Sequence, residues 1–195
     1  MKSVMKPMMD MWLRGRRSVQ DLFGDCRGVA AIEFAMVVPV MLILFFGTDE
    51  FASGIAVNRK VTLMARTLSD LTSQNISVTD TQLTNISNAS TAIMTPYSAT
   101  PVRSTVTELY VDPSTLVARV QWSKGSAART AGSTVAIPTA LQVGGTYLIY
   151  SEVSYAFVPT VGYVLKNSIT LSDFTFTRPR QSTCVMYNTT VCTTT

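Results

Sequence analysis

Residues 29–47 read VAAIEFAMVVPVMLILFFG, nineteen residues of which Glu33 is the only ionisable one. This run restricts the fold more than any other feature. A helix needs about 20 apolar residues to cross a hydrocarbon core of ~30 Å, and inside that core the chain has to satisfy its own backbone hydrogen bonds. The run is therefore long enough to span a membrane as a helix. Six basic residues (Lys2, Lys6, Arg14, Arg16, Arg17 and Arg27) precede it and the acidic pair Asp49 and Glu50 follows it. The positive-inside rule then leaves the N-terminus in the cytoplasm and everything after about residue 50 outside. A secretory signal peptide also has a basic start, but its apolar region is usually ~7 to 15 residues and ends in a small-x-small site. The nearest approximation is Ala52-Ser53-Gly54, and a carboxylate early in the apolar stretch is foreign to such peptides.

Charge and composition narrow the function. The sequence pI is about 9.1, which would fit a nucleic-acid binder if the charge were concentrated on a folded surface. Residues 1–28 hold six basic residues against Asp10, Asp21 and Asp25, while the remaining ten basic residues face nine acidic ones (16 − 6 and 12 − 3). The excess belongs mainly to the leader, and no basic stripe interleaved with aromatics follows, so no nucleic-acid partner is expected. The chain has no histidine, which removes the usual Ser/His/Asp and Cys/His nucleophilic pairs and any histidine-containing zinc site. Its three cysteines, Cys26, Cys184 and Cys192, cannot build a four-thiolate site. With neither paired carboxylates nor a glycine-rich phosphate loop at useful spacings, the chain reads as a non-enzyme without cofactor or metal.

Glu33 needs a reason to be where it is. Burying such a carboxylate costs about 2.5 to 3.5 kcal/mol at the centre of a span and less near its end. In Arg27-Gly28-Val29-Ala30-Ala31-Ile32-Glu33-Phe34, a cut after Gly28 would create an α-amino group on Val29 and leave Glu33 fifth in the shortened chain. Amine and carboxylate would then lie at similar depth on two adjacent subunits. Taken singly, Gly28 reads as a helix-start residue and Glu33 as a snorkelling side chain; together, behind a basic leader and ahead of an unbroken apolar run, they read as a processing signal. Pro39 fits a span that kinks where neighbours pack, and is also simply tolerated in such helices.

Glycine, four small or apolar residues, glutamate and an aromatic at the head of an apolar helix resemble the type IV prepilin cleavage motif. The stretch GVAAIEFAMVVPVMLILFFGTDEF is similar in particular to the TadE and TadF pseudopilins of the tight-adherence (Flp) pilus system, over residues 27 to about 70. The resemblance implies cleavage by a membrane aspartyl prepilin peptidase between Gly28 and Val29. It assigns Glu33 and Phe34 to peptidase recognition and assembly. As partners it implies the membrane, the peptidase, other pilins or pseudopilins and the inner-membrane assembly platform.

Beyond Gly47 the helix is expected to continue, because Val57, Val61, Met64, Leu68 and Leu71 recur at intervals of four and three, with Arg59, Lys60, Arg66 and Asp70 largely off that stripe. A second helix is announced by the capping-box pattern Thr79-Asp80-Thr81-Gln82 and should end before Pro96. From residue 104 the chain turns β-branched and alternating. Strands are expected at 104–111 and 116–122, joined by a turn at Asp112-Pro113-Ser114. Leu116, Ala118, Val120 and Trp122 should share one face, and Arg119 and Gln121 the solvated other. Tyr147, Ile149, Val153, Tyr155 and Phe157 mark a third strand, and 169–176 a fourth with a phase slip near Asp173; 123–145 reads as a loop or irregular excursion. Cys184 and Cys192 would be oxidised together in a periplasm and close a short loop, whereas Cys26 would stay reduced and depart with the leader. Pilins share such a C-terminal loop only loosely.

The expected architecture is α+β and pilin-like, with a long N-terminal helix, a second helix and a four-stranded antiparallel sheet. Its parts are a basic cytoplasmic leader (1–28, removed), a membrane helix (29–48), its extramembrane continuation (49–75) and a periplasmic domain (76–195). The functional expectation is a minor pseudopilin of a bacterial inner membrane that takes part in pilus assembly. The alternative is an uncleaved, signal-anchored periplasmic binding module.

Overall fold

The computed structural model describes residues 27–159 and 167–192, so the expected leader up to residue 26, with Cys26, lies outside the described residues. The chain divides into two units, Met1–Thr48 and Asp49–Thr195. In the first, the described residues are the beginning of α1, Arg27–Ser73, which carries Pro39 in its interior. Most side chains here are exposed, Phe34 and Leu44 among them. The helix is long and apolar enough to cross a membrane, and none of its most apolar window is buried.

The second unit holds the rest of α1, then β1 (Ser77–Val78), α2 (Asp80–Thr91), β2 (Val102–Val111), β3 (Ala118–Gly125), β4 (Thr134–Val135), β5 (Tyr147–Phe157), β6 (Ile169–Thr177) and β7 (Met186–Tyr187). β1 and β7 form a small parallel ladder; the others form one antiparallel sheet in the order β4-β3-β2-β5-β6. The sheet thus has five strands where the alternation pattern indicated four. β4 is too short to register as a pattern and lies in the 123–145 stretch read as loop.

One face of the sheet receives α1. Val57, Val61, Met64 and Leu68 are buried with Val106, Trp122, Ile149, Val153, Tyr155 and Phe157, so the stripe from Val57 to Leu68 is domain core. Leu71 is only partly buried. There the helix approaches through Ser69, Thr72 and Ser73 instead, all of them buried. Serine hydroxyls tie the layers: Ser151 donates to the Ala65 carbonyl at 2.6 Å and Ser69 to that of Ile149 at 3.3 Å. α2 begins at Thr79 with the capping box intact, the Thr79 hydroxyl accepting from Gln82 N–H and the Gln82 side chain accepting from Thr79 N–H. It ends at Thr91, followed by a 3-10 turn at Ala92–Met94.

The opposite face is not solvated along its whole length. The excursion after β3 folds back and brings Val135, Ile137 and Leu141 onto Leu109, Val111, Ala118, Val120, Leu148 and Tyr150 as a second apolar cluster. Gly125 permits the reversal: at φ 133°, any Cβ would meet the Ser104 carbonyl oxygen at 2.2 Å.

Two strand readings change. Glu108 pairs with Trp122 but Leu109 with Val120, so Gln121 is an extra residue in β3, a bulge that reverses the phase. Trp122 therefore faces α1 while Ala118 and Val120 face away, and Leu116 lies in the turn at φ 56°. In β6 no slip occurs, since its pairing with β5 is continuous from Phe157↔Ile169 to Ile149↔Thr177. The apolar residues change sides without a bulge because the helix-facing positions from Asp173 onward are polar: Asp173 accepts from the Thr62 hydroxyl, and Thr177 meets Ser69 at 2.6 Å. Phe174 and Phe176 turn to the other face, where Phe176 stacks on Tyr150 with ring centroids 4.5 Å apart.

Candidate functional site

Gly28, Val29, Glu33 and Phe34 all lie in the first turns of α1. Val29 and Glu33 are four residues apart, so their side chains share one helix face about 6 Å apart along the axis. Phe34 is 70% exposed and Val29 57% exposed, and a Cβ at Gly28 would meet nothing within 4 Å. Among the described residues the ion pairs are Lys124–Asp80, Arg129–Glu152 and Arg180–Asp70; none involves Glu33. The arrangement is a linear motif on an open apolar helix, able to be gripped from outside and to pack sideways on other helices.

The outer unit sets the expected cysteine pair at disulfide distance and joins further groups that the sequence reading did not connect. Cys184 and Cys192 stand at disulfide distance, with Cα atoms 6.3 Å apart. On the face away from α1, Arg129 forms a bidentate pair with Glu152, one arm at 2.9 Å, and the Tyr150 hydroxyl donates to the same carboxylate at 2.8 Å. Burial acts to raise the Glu152 carboxyl, but the hydrogen bonds from Arg129 and Tyr150 outweigh it and hold it below its ordinary value. This pair fastens the returning loop, whose backbone is also held by Ala127 N–H donating to Thr105 Oγ1 and Arg129 N–H to Ser123 Oγ.

A second carboxylate, Glu108, is buried on the α1 side of β2. The reading of residues 104–111 as a strand passed over it. Its signal was present, because Glu108 falls in the phase of Val106 and Tyr110, where a charged residue is out of place. No group of three or more His, Cys, Asp or Glu that could hold a metal occurs among the described residues.

Fold and motif together define a class: an α+β domain following an N-terminal helix fit to span a membrane, with a glycine-to-glutamate motif at the head of that helix. The family model of TadE-like proteins matches residues 28–68. This segment of the chain is similar to TadE-like proteins, in agreement with the resemblance read from residues 27 to about 70. No curated protein and no solved structure matches the chain.

Proposed function

We propose that the protein is a minor pseudopilin of a tight-adherence (Flp-type) pilus system. In this reading a prepilin peptidase cuts after Gly28, α1 is held in the bacterial inner membrane with its N-terminus cytoplasmic, and the α+β domain lies in the periplasm. The observation that carries the reading is the TadE-like match beginning at residue 28, at the head of an exposed apolar helix. A cut there exposes a positive amine on Val29 within a helix whose next acidic residue is Glu33. In a low-dielectric surround the two charges attract strongly, and pairing between neighbouring subunits would set their axial register. The other pseudopilins and the assembly platform are the partners of that step; the apolar run is what lets subunits meet side by side in the membrane.

The mature N-terminus tests the cleavage step. Mass spectrometry of the membrane-extracted protein should find a chain beginning at Val29, and Gly28→Leu should accumulate as full-length precursor. An intact residue 1 supports the uncleaved, signal-anchored binding module instead. For the assembly step, Glu33→Gln should be inserted and cleaved normally yet yield few pili as the only copy in the cell. Leaving one partner of such a buried pair uncompensated costs about 3 to 5 kcal/mol. Wild-type piliation with normal membrane levels would remove Glu33 from the mechanism.

A further inference from the structure

Glu108 is 1% exposed, and among the described residues no cation accompanies it. Its carboxylate accepts from the main-chain N–H of Val185 at 2.6 Å. Trp122, paired with Glu108 across the β2–β3 ladder, donates its indole N–H to the Val185 carbonyl at 2.8 Å. Two neighbouring side chains of the sheet thus grip both polar groups of a single residue, and that residue adjoins Cys184. The rest of the segment is held more lightly. Its other contacts include the two-residue β1–β7 ladder, Arg180 N–H on the Ser73 carbonyl at 2.9 Å, an exposed Arg180–Asp70 pair, and the Tyr187 ring, which lies under Lys124 at 4.8 Å and beside Trp122 with centroids 5.7 Å apart. Beneath it lie Tyr110 and Tyr147, packed with Cys184.

We propose that Glu108 is a proton-operated latch for the C-terminal segment, residues 178–192: protonated, it keeps the segment closed over Tyr110, Trp122 and Tyr147, and ionised, it lets the segment open. A neutral carboxyl still accepts from Val185 N–H through its carbonyl oxygen, less strongly than a charged one does, but burial of the charge outweighs that difference. An ionised carboxylate adds a charge that the buried site, with no cation among the described residues, cannot compensate, and opening the segment admits water to it.

The groups around Glu108 leave it as the titrating member. Tyr147 on β5 is coupled to it and is itself pushed up by burial, then by Tyr110 and Glu108, so it stays neutral. Asp70 on α1 is occupied by Arg180 and Gln74, and Lys124 on β3 by Asp80 of α2 and by Tyr187. The tail presents Val185 and Cys184, which bring no charge. Burial drives the Glu108 carboxyl from an ordinary 4.5 to about 7, against the hydrogen bonds from Val185 and Trp122. A group raised in the closed form holds it most firmly below 4.5 and loses that contribution as pH rises to about 7.

Amide hydrogen exchange on the full chain in detergent micelles tests this, read at Val185, Met186 and Asn188 and divided by the intrinsic rate at each pH. The opening constant should rise about tenfold per pH unit between 4.5 and 7, roughly 300-fold in all, and level off above 7. In Glu108→Gln it should be independent of pH, while amides of Leu148 to Val153 in β5 keep their protection and report an intact sheet. A flat wild-type profile overturns the proposal without recourse to any variant, and so does an unchanged slope in Glu108→Gln. If Glu108→Gln loses the β5 protection, Trp122→Phe takes its place. It keeps the carboxyl, so the latch requires faster opening with the same pH slope, and an altered slope would assign the titration elsewhere.

Discussion

Leu68 and Leu63 stand on the same helix five residues apart, one 1% and the other 52% exposed. Truncating each to alanine separates burial from every effect of the helix itself, since the propensity change is identical. Leu→Ala removes about three CH2 equivalents of apolar surface at ~0.8 kcal/mol each, roughly 2.4 kcal/mol of transfer energy for a side chain fully out of water. Leu68 packs among Val57, Val61, Met64, Trp122 and Ile149 within one cluster. The hole it leaves adds a cavity contribution, for a total of about 3 kcal/mol. Leu63 keeps half its surface in water and leaves no closed hole, so its loss should cost about 1 kcal/mol or less. The assay is urea unfolding in detergent micelles, followed by the fluorescence of Trp122 in a Trp12→Phe background. Leu68→Ala should lower the midpoint with an unchanged slope, whereas Leu63→Ala should move it little. Equal shifts for the two, or a loss below about 1 kcal/mol for Leu68→Ala, would refute the assignment of this stripe to the domain core.

Two further outcomes follow from the outer unit. Non-reducing peptide mapping of the membrane-extracted protein should recover Cys184 joined to Cys192, and opening that link should cost about 2 to 4 kcal/mol; free thiols at both positions would contradict the pairing. Arg129→Ala should destabilise the domain by about 1 to 2 kcal/mol at neutral pH and by less as pH falls through the carboxylate range. The Glu152 carboxyl is held low in the folded chain, so its contribution is present above its ordinary value and fades on protonation. A loss that is constant with pH would show that Arg129 acts through packing alone.

The elements that announce themselves in the sequence are those whose pattern is long and whose chemistry is local. The helical stripe from Val57 to Leu68, the capping box at Thr79 and the alternation around Tyr147 each repeat often enough to outweigh accident, and each element stands in the structure. β4 is two residues long and exists only because β3 offers it an edge, so no periodicity could mark it. The bulge at Gln121 was hidden for a related reason. Leu116, Ala118, Val120 and Trp122 alternate without interruption in the sequence, and the extra residue becomes visible only against the partner strand, where Glu108 and Leu109 are consecutive but Trp122 and Val120 are not. In β6 the error ran the other way. The change from Leu171 to Phe174 looked like a slip because the apolar phase was taken as the core phase, yet α1 meets β6 through hydroxyls and Asp173, and the aromatics serve the opposite face.

The two carboxylates out of place show how much context such a reading requires. Glu33 is conspicuous because every neighbour within fourteen positions toward the C-terminus is uncharged; the anomaly is one of composition, and a linear scan detects it. Glu108 sits among threonines and valines in a strand where polar residues are half the pattern, and its oddity is one of phase alone. It emerges when Val106, Glu108 and Tyr110 are placed on one face and that face is set against α1. A carboxylate in that position is destabilising unless a donor meets it, and the donor comes from Val185, seventy-seven residues along the chain. The tail that carries Val185 has almost no secondary structure by which to be predicted, β7 being two residues long. Its place on the domain is set by side chains that wait for it on the sheet, Glu108 and Trp122 above all. The bulge that turns Trp122 toward α1 is therefore also what brings its indole beside Glu108, and without it Val185 would lose the donor to its carbonyl.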